Sequence, residues 1–136
     1  MKFPWMPKGR GDYWPLLPVG FRRKGRIMPV NPALLVDTGA DGTVLNIGLA
    51  AGLGFKSSDL AEESSTVVGG KTVLYVPSRP DLGEIQIQIG RAWFQLPSLR
   101  FGVAPVSLLG RDLIFSNFEL RMTPSEFELI PLRRKR

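Results

Sequence analysis

Short hydrophobic runs that alternate with polar residues, separated by turn residues about every 8 to 12 positions, predict an all-β protein. The clearest alternation is Glu-Ile-Gln-Ile-Gln-Ile at 84–89, whose period of two places the isoleucines on one buried face. Leu99, Phe101 and Phe118 are also expected in the core. The same criteria predict strands at 16–21, 27–36, 92–101 and 106–109, a closing hairpin from 118–122 and 127–130, and short helices at 46–51 and 111–118.

The segment 64–76 has two β-rich arms that meet at Gly69-Gly70, which predicts a hairpin. Glycine suits such a tip because it adopts positive φ and lets another backbone approach closely. A functional loop and an ordinary tight hairpin would both give this pattern.

The chain of 136 residues, 43% of them hydrophobic, has the size and the apolar content of one compact domain. Residues 1–14 contain two prolines and two glycines, a composition that favours an irregular N-terminal lead. We therefore expect the folded domain at 15–130, followed by a basic tail at 131–136.

The net charge of +6 is concentrated at the two ends of the chain. Residues 1–26 hold seven basic residues and one acidic residue, and 133–136 hold four basic residues, so these segments carry +6 and +4. Residues 27–132, with seven basic and 11 acidic residues, carry −4. A nucleic-acid partner is therefore not expected for the core, although a terminal basic run is either a solvated tail or a phosphate-binding one.

The absence of cysteine and histidine restricts the available chemistry. It excludes disulfides, thiolate and imidazole metal sites, and nucleophiles activated by histidine, so that carboxylates remain. No metal and no cofactor are expected. Because no apolar stretch resembles a membrane span or a signal peptide, we expect no membrane partner and, by default, a cytoplasmic location.

The most informative segment is Asp37-Thr38-Gly39-Ala40, which follows the apolar run 33–36 and is matched downstream by Leu-Leu-Gly at 108–110. A carboxylate just after a buried strand, on a turn with glycine, is suited to hydrolytic chemistry. An isolated Asp-Thr-Gly would more often be a turn whose aspartate caps a loop. The triplet occurs once in the chain.

Residues 36–45, Gly69-Gly70 and residues 101–112 occur in the order found in retropepsin-like aspartic proteases, and the chain resembles this family over about 15–123. The resemblance implies an all-β retropepsin-like fold. Such a fold is a closed or sandwiched β-barrel with a flap hairpin at Gly69-Gly70, one short C-terminal helix and one lobe per chain. It also implies a homodimer that hydrolyses a peptide or protein substrate as an aspartic endopeptidase.

In such a homodimer two copies of Asp37 would meet at the two-fold axis and hold one shared proton, because like charges so close cannot both ionise easily. One carboxyl would activate a water and the other would polarise the scissile carbonyl. Thr38 would bond the opposite subunit's backbone, and Gly39 would expose backbone to the peptide. Ala40 lacks the hydroxyl that relatives use to stabilise the carboxylate, so activity is expected at mildly acidic pH.

The resemblance assigns roles to other residues as well. Asp41 and Arg111 are expected to form an ion pair that connects the catalytic loop to the C-terminal helix, with Asp41 partly buried near the dimer interface. Leu35 and Val67 are further candidates for subsite walls. Substrate-binding positions are Gly39, Ala40, Asp41, Val68, Gly69, Gly70 and Val106, and structural support comes from Leu108, Leu109, Gly110 and Arg111.

Two alternatives to a working peptidase stay open on the sequence alone. One is a catalytically inactive, dimeric peptide-binding module of the same fold, since a fold does not by itself establish function. The other is a nucleic-acid partner that uses the basic tail. The dimer interface is also open, because the viral enzymes interleave their terminal strands, whereas this chain continues through Pro124 into a predicted hairpin.

Overall fold

The computed structural model describes residues 1–7, 11–67 and 69–132, so most of the basic tail lies outside it. The helices are α1 (Gly48–Gly52) and α2 (Arg111–Asn117), and 3₁₀ turns cover Ser57–Asp59 and Pro80–Gly83. The strands are β1 (Lys2–Pro4), β2 (Met6–Pro7), β3 (Tyr13–Trp14), β4 (Leu16–Pro18), β5 (Gly20–Arg23), β6 (Arg26–Ile27), β7 (Ala33–Val36), β8 (Val44–Asn46), β9 (Leu60–Val67), β10 (Gly70–Pro77), β11 (Gln86–Ile89), β12 (Ala92–Gln95), β13 (Arg100–Gly102), β14 (Leu108–Leu109), β15 (Phe118–Met122) and β16 (Glu126–Pro131).

These strands confirm the all-β prediction. The largest sheet has seven strands in the order β4-β7-β14-β8-β13-β10-β9. A second sheet has the order β12-β11-β5-β6, a third has the order β1-β16-β15, and β2 pairs with β3. Neither helix in the described part of the chain is long and apolar enough to cross a membrane.

The core is built from the apolar positions that the alternation predicted. Ile85, Ile87 and Ile89 have no exposed surface, and β11 lies between β12 and β5. Phe101 and Phe118 are also buried, and each contacts another aromatic ring, with Phe101 5.4 Å from the ring centroid of Phe55. Burial of these large side chains supplies the main favourable free energy of folding.

Prolines explain why two predicted strands are shorter than expected. The segment 27–36 is divided into β6 and β7 by residues around Pro29 and Pro32, because proline cannot donate a ladder hydrogen bond. The segment 92–101 is divided into β12 and β13 around Pro97.

The N-terminal lead is more ordered than its composition indicates, and the expectation of an irregular segment is wrong for Lys2–Pro4. This strand pairs antiparallel with β16, with Phe3 opposite Phe127 and the two rings stacked at 5.3 Å. Trp5 continues the contact by donating from its indole nitrogen to the carbonyl oxygen of Thr123 at 2.8 Å. Pro4 is tolerated because it ends an edge strand.

Candidate active site

Asp37 is held at the end of a buried strand by a neighbour that is distant in sequence. Strand β14 runs parallel to β7, with Leu108 opposite Leu35 and Leu109 opposite Val36. The backbone N–H of Asp37 then donates to the carbonyl oxygen of Leu109 at 3.0 Å. The Leu-Leu-Gly segment therefore fixes the backbone from which the Asp37 carboxylate projects.

The turn after β7 presents Asp37 in a local hydrogen-bonded arrangement. The Gly39 N–H donates to Asp37 Oδ1 at 2.9 Å, and the Ala40 N–H donates to the Asp37 carbonyl oxygen at 3.3 Å. Asp37 is half-buried, whereas Thr38 and Gly39 are exposed. A Cβ at position 39 would lie only 3.2 Å from Asp37 Oδ1, so glycine leaves room for the carboxylate.

Gly110 closes the base of this arrangement against the loop that follows Asp37. Its N–H donates to the Thr43 hydroxyl oxygen at 3.1 Å. A Cβ on Gly110 would lie 2.4 Å from the carbonyl carbon of Gly42 and 2.5 Å from its oxygen. Only glycine allows the two backbones to approach this closely.

A network of hydroxyl groups around Asp112 lies behind the same loop. Asp112 Oδ2 accepts from the Ser98 hydroxyl at 3.0 Å, and Asp112 Oδ1 accepts from the Leu113 N–H at 2.8 Å. The Thr43 hydroxyl has no exposed surface and lies 3.5 Å from Asp112 Oδ1. The sequence pattern does not predict roles for Thr43, Ser98 and Asp112, and its one signal is the polar Thr43 immediately before an apolar strand.

Asp41 and Arg111 form an ion pair between the loop and helix α2. Two backbone hydrogen bonds run alongside it, from the Arg111 N–H to the Ala40 carbonyl oxygen at 2.9 Å and from the Asp112 N–H to the Asp41 carbonyl oxygen at 3.2 Å. The Asp41 side chain is 89% exposed and that of Arg111 is 48% exposed. In the single chain Asp41 is therefore not buried as expected, and an exposed pair of this kind contributes about 1 kcal/mol at most.

The hairpin formed by β9 and β10 extends from the edge of the seven-stranded sheet. Its last pair is Gly70 with Val67, so two residues connect the strands. Gly69 has φ +95 and Gly70 has φ +142, the positive values for which glycine is suited. Val68 lies outside the described residues, and Leu74 is the one buried side chain of β10. Low burial of this kind is typical of segments that open locally in proteins.

An open cleft of about 360 Å³ lies beside β4 and β7. Val106 lines it together with Trp14, Leu16 and Leu49. Among the described residues, Asp37, Gly69 and Gly70 do not line this cleft, so it does not join Val106 to these predicted site residues. Among the described residues, no group of three or more acidic side chains is placed to hold a metal ion.

Comparison with known proteins identifies a matching family and similar folds. The aspartyl protease family model matches residues 24–114. The fold is similar to that of a retropepsin-like aspartic protease from Rickettsia conorii, with 18% identity, a TM-score of 0.61 and coverage of 93% of this chain and 97% of that chain. It is also similar to the EIAV protease in complex with the inhibitor HBY-793, with 19% identity, a TM-score of 0.57 and coverage of 82% and 93%. No curated protein sequence matches.

Proposed function

The chain belongs to the aspartyl protease family and has the retropepsin-like fold, and on this premise we propose that it is a homodimeric aspartic endopeptidase. The observation that carries the proposal is the Asp37 turn. The backbone N–H of Asp37 is bonded to β14, and the Asp37 carboxylate lies on an exposed Asp-Thr-Gly turn, where it accepts one backbone hydrogen bond, from Gly39.

The homodimer follows from the number of carboxylates that hydrolysis needs. Attack of water on an amide requires a base for the water proton and an acid for the carbonyl oxygen. The chain contains one Asp-Thr-Gly triplet, so a two-fold axis beside Asp37 would supply the second carboxyl from an identical chain. Thr38 is exposed on the same turn, so its hydroxyl is accessible to an identical chain across that axis.

In the proposed mechanism the two Asp37 carboxyls share one proton. The ionised carboxylate takes a proton from water while the water oxygen attacks the carbonyl carbon, and the protonated carboxyl donates its proton to the carbonyl oxygen. The resulting tetrahedral intermediate then collapses. Its C–N bond breaks as one carboxyl donates its proton to the peptide nitrogen and the other carboxylate takes a proton from a hydroxyl of the intermediate, which re-forms a carbonyl and leaves the pair singly protonated.

The remaining sequence-predicted positions take supporting roles in this proposal. Gly39, Ala40 and Asp41 would present backbone to an extended peptide, as an added strand does. The β9–β10 hairpin would close over the peptide with Gly69 and Gly70 at its tip and exclude water. Leu108, Leu109, Gly110 and Arg111 would keep the loop in place. Val106 would contribute a wall of the binding cleft, and Val68 would lie at the flap.

The proposal is tested by mixing the parent with the Asp37→Asn variant. Each heterodimer would contain one intact carboxyl, so excess variant should reduce the activity of a fixed amount of parent toward a peptide library. Asp37→Asn alone should be inactive and should still compete. Activity that is unchanged by the excess variant would argue against a shared site. Peptide binding by the parent without cleavage would support the inactive binding module instead.

A further inference from the structure

A second pocket of about 240 Å³ lies between the β5–β6 hairpin and the end of α1. It is lined by residues 23, 24 and 26–29 of the hairpin segment and by residues 51–54. We call it the Arg23 pocket. None of its lining residues belongs to the Asp37 turn or to the cleft beside Val106.

Arg23 is the most buried charged residue of the described chain, with 7% of its surface exposed. Its Nε donates to the carbonyl oxygen of Leu82 at 3.1 Å, and its Nη1 donates to that of Leu53 at 3.1 Å. The central carbon of the guanidinium lies 3.7 Å from the ring centroid of Phe55. These contacts fix the plane of the guanidinium.

The same contacts leave part of the guanidinium without a protein partner. A guanidinium has five N–H donors, and these two hydrogen bonds use two of them. In the described part of the chain, no buried side-chain nitrogen or oxygen lacks a hydrogen-bond partner. The unused Nη2 of Arg23 is therefore accessible to solvent, and the Arg23 pocket is the cavity that this side chain lines.

No carboxylate neutralises this buried charge. Within the described residues no ion pair includes Arg23, and the pocket lining contains no Asp or Glu. Lys24 and Arg26 add two exposed cations at the rim. Burial of a charge is unfavourable unless an opposite charge or a set of hydrogen bonds compensates for it. Carbonyl oxygens supply hydrogen bonds to Arg23 but no counter-charge.

We propose that the Arg23 pocket binds a tetrahedral oxyanion of the phosphate or sulfate class. The unused N–H groups of Arg23 match two oxygens of such an anion, because a planar guanidinium binds oxyanions in a bidentate manner. Lys24 and Arg26 would add charge from the rim. A dianion compensates more of the three positive charges than a carboxylate does, which favours the tetrahedral class.

The location of the pocket gives the bound anion a structural consequence. Leu53 lies before the β9–β10 hairpin in the chain and Leu82 lies after it, so Arg23 connects the segment that enters the hairpin to the segment that leaves it. An anion bound to the guanidinium should therefore strengthen its connection to both segments and stabilise the base of the hairpin. This inference is independent of the proposed peptidase activity.

The test is a titration of the full chain with inorganic phosphate, sulfate and acetate at constant ionic strength, followed by NMR. The parent should saturate with phosphate and sulfate, with shifts centred on the Arg23 Nε–H and the Gly54 amide, and acetate should bind at least several-fold more weakly. General salt effects on stability do not produce localised, saturable shifts. Arg23→Met should weaken phosphate binding about 10- to 100-fold, as the loss of hydrogen bonds to a charged group implies.

Two further variants keep the test decisive if Arg23→Met fails to fold. The double variant Lys24→Gln and Arg26→Gln keeps the contacts of Arg23 and should still weaken phosphate binding several-fold. Arg121→Ala, which removes an exposed cation paired with Glu119 away from the pocket, should bind phosphate as the parent does. The proposal is overturned if the parent does not saturate, if acetate binds as well as phosphate, or if the double variant binds like the parent.

Discussion

Replacing Gly110 with alanine should destabilise the protein more than replacing any other glycine of the site with alanine. The new Cβ would lie 2.4 Å from the carbonyl carbon of Gly42, where real Cβ atoms essentially never lie. The neighbouring atoms are backbone atoms, so no side chain can rotate away to relieve the contact. Either the Gly42 loop or the end of β14 must move.

The expected loss has two parts. Overpacking in a tightly packed region costs roughly 1 to 3 kcal/mol. Movement of Gly110 would also break the hydrogen bond from its N–H to the Thr43 hydroxyl, and leaving that buried N–H unsatisfied costs about 1 to 3 kcal/mol more. A total of about 4 kcal/mol is a large share of the 5 to 15 kcal/mol typical of whole domains.

Urea denaturation followed by circular dichroism measures this loss. With a slope of about 2 kcal/mol per molar urea, the midpoint should fall by about 2 M. Gly52→Ala is the matched control, because its new Cβ would meet only the flexible end of Met28 at 3.2 Å and alanine favours the helix. A Gly110→Ala variant that unfolds within about 1 kcal/mol of the parent would refute the role of this backbone contact.

Three further predictions concern activity. Asp37→Asn should lower the rate of peptide cleavage by at least about 10³-fold, because acid–base catalysis is lost. The variant should unfold like the parent, because the amide oxygen can still accept the Gly39 N–H. Cleavage near the parental rate in a peptide assay would exclude the carboxylate as the base. At Gly69→Ala the new Cβ meets no atom within 4 Å, so its only cost is the strain of the positive φ, about 1 to 2 kcal/mol. The variant should have a reduced kcat/KM, and its unfolding free energy in urea should fall by no more than that strain. Unaltered kinetics would mean that the tip does not move during turnover. Arg111→Ala should change the unfolding free energy of the chain by less than about 1 kcal/mol, because the ion pair is exposed. Its activity should be reduced at low protein concentration and should recover at high concentration as dimers re-form. A loss of activity that sedimentation shows to be unrelated to dimerisation would contradict this.

The local sequence pattern was sufficient to predict the strands, turns and helices that depend only on residues close together in the chain. The isoleucines of 85–89 are buried because a period of two needs no knowledge of the rest of the chain. The turn at Asp37 and the short helix at 111–117 follow from their own sequence in the same way. The resemblance to a family then placed these elements in one fold.

Features that depend on distant partners were not readable from the pattern. Lys2–Pro4 forms a strand because β16 is available to it, and no property of the first residues indicates that partner. The buried Thr43 hydroxyl acquires its role from Gly110 and Asp112, which lie about 70 residues later in the chain. The predicted role of Val68 stays a prediction, because that residue lies outside the described part of the chain.

The pairing of β1 with β16 also has a consequence for the time course of folding during synthesis. Phe3 and its partner Phe127 are separated by 124 positions, so a ribosome that adds about 5 to 20 residues per second needs roughly 6 to 25 s to deliver the second ring after the first. During that interval the nascent chain carries Phe3 without its strand partner. Contacts of such long range also slow folding after release, so the β1–β16 pair is expected to be the last part of this sheet to form and the first to be lost.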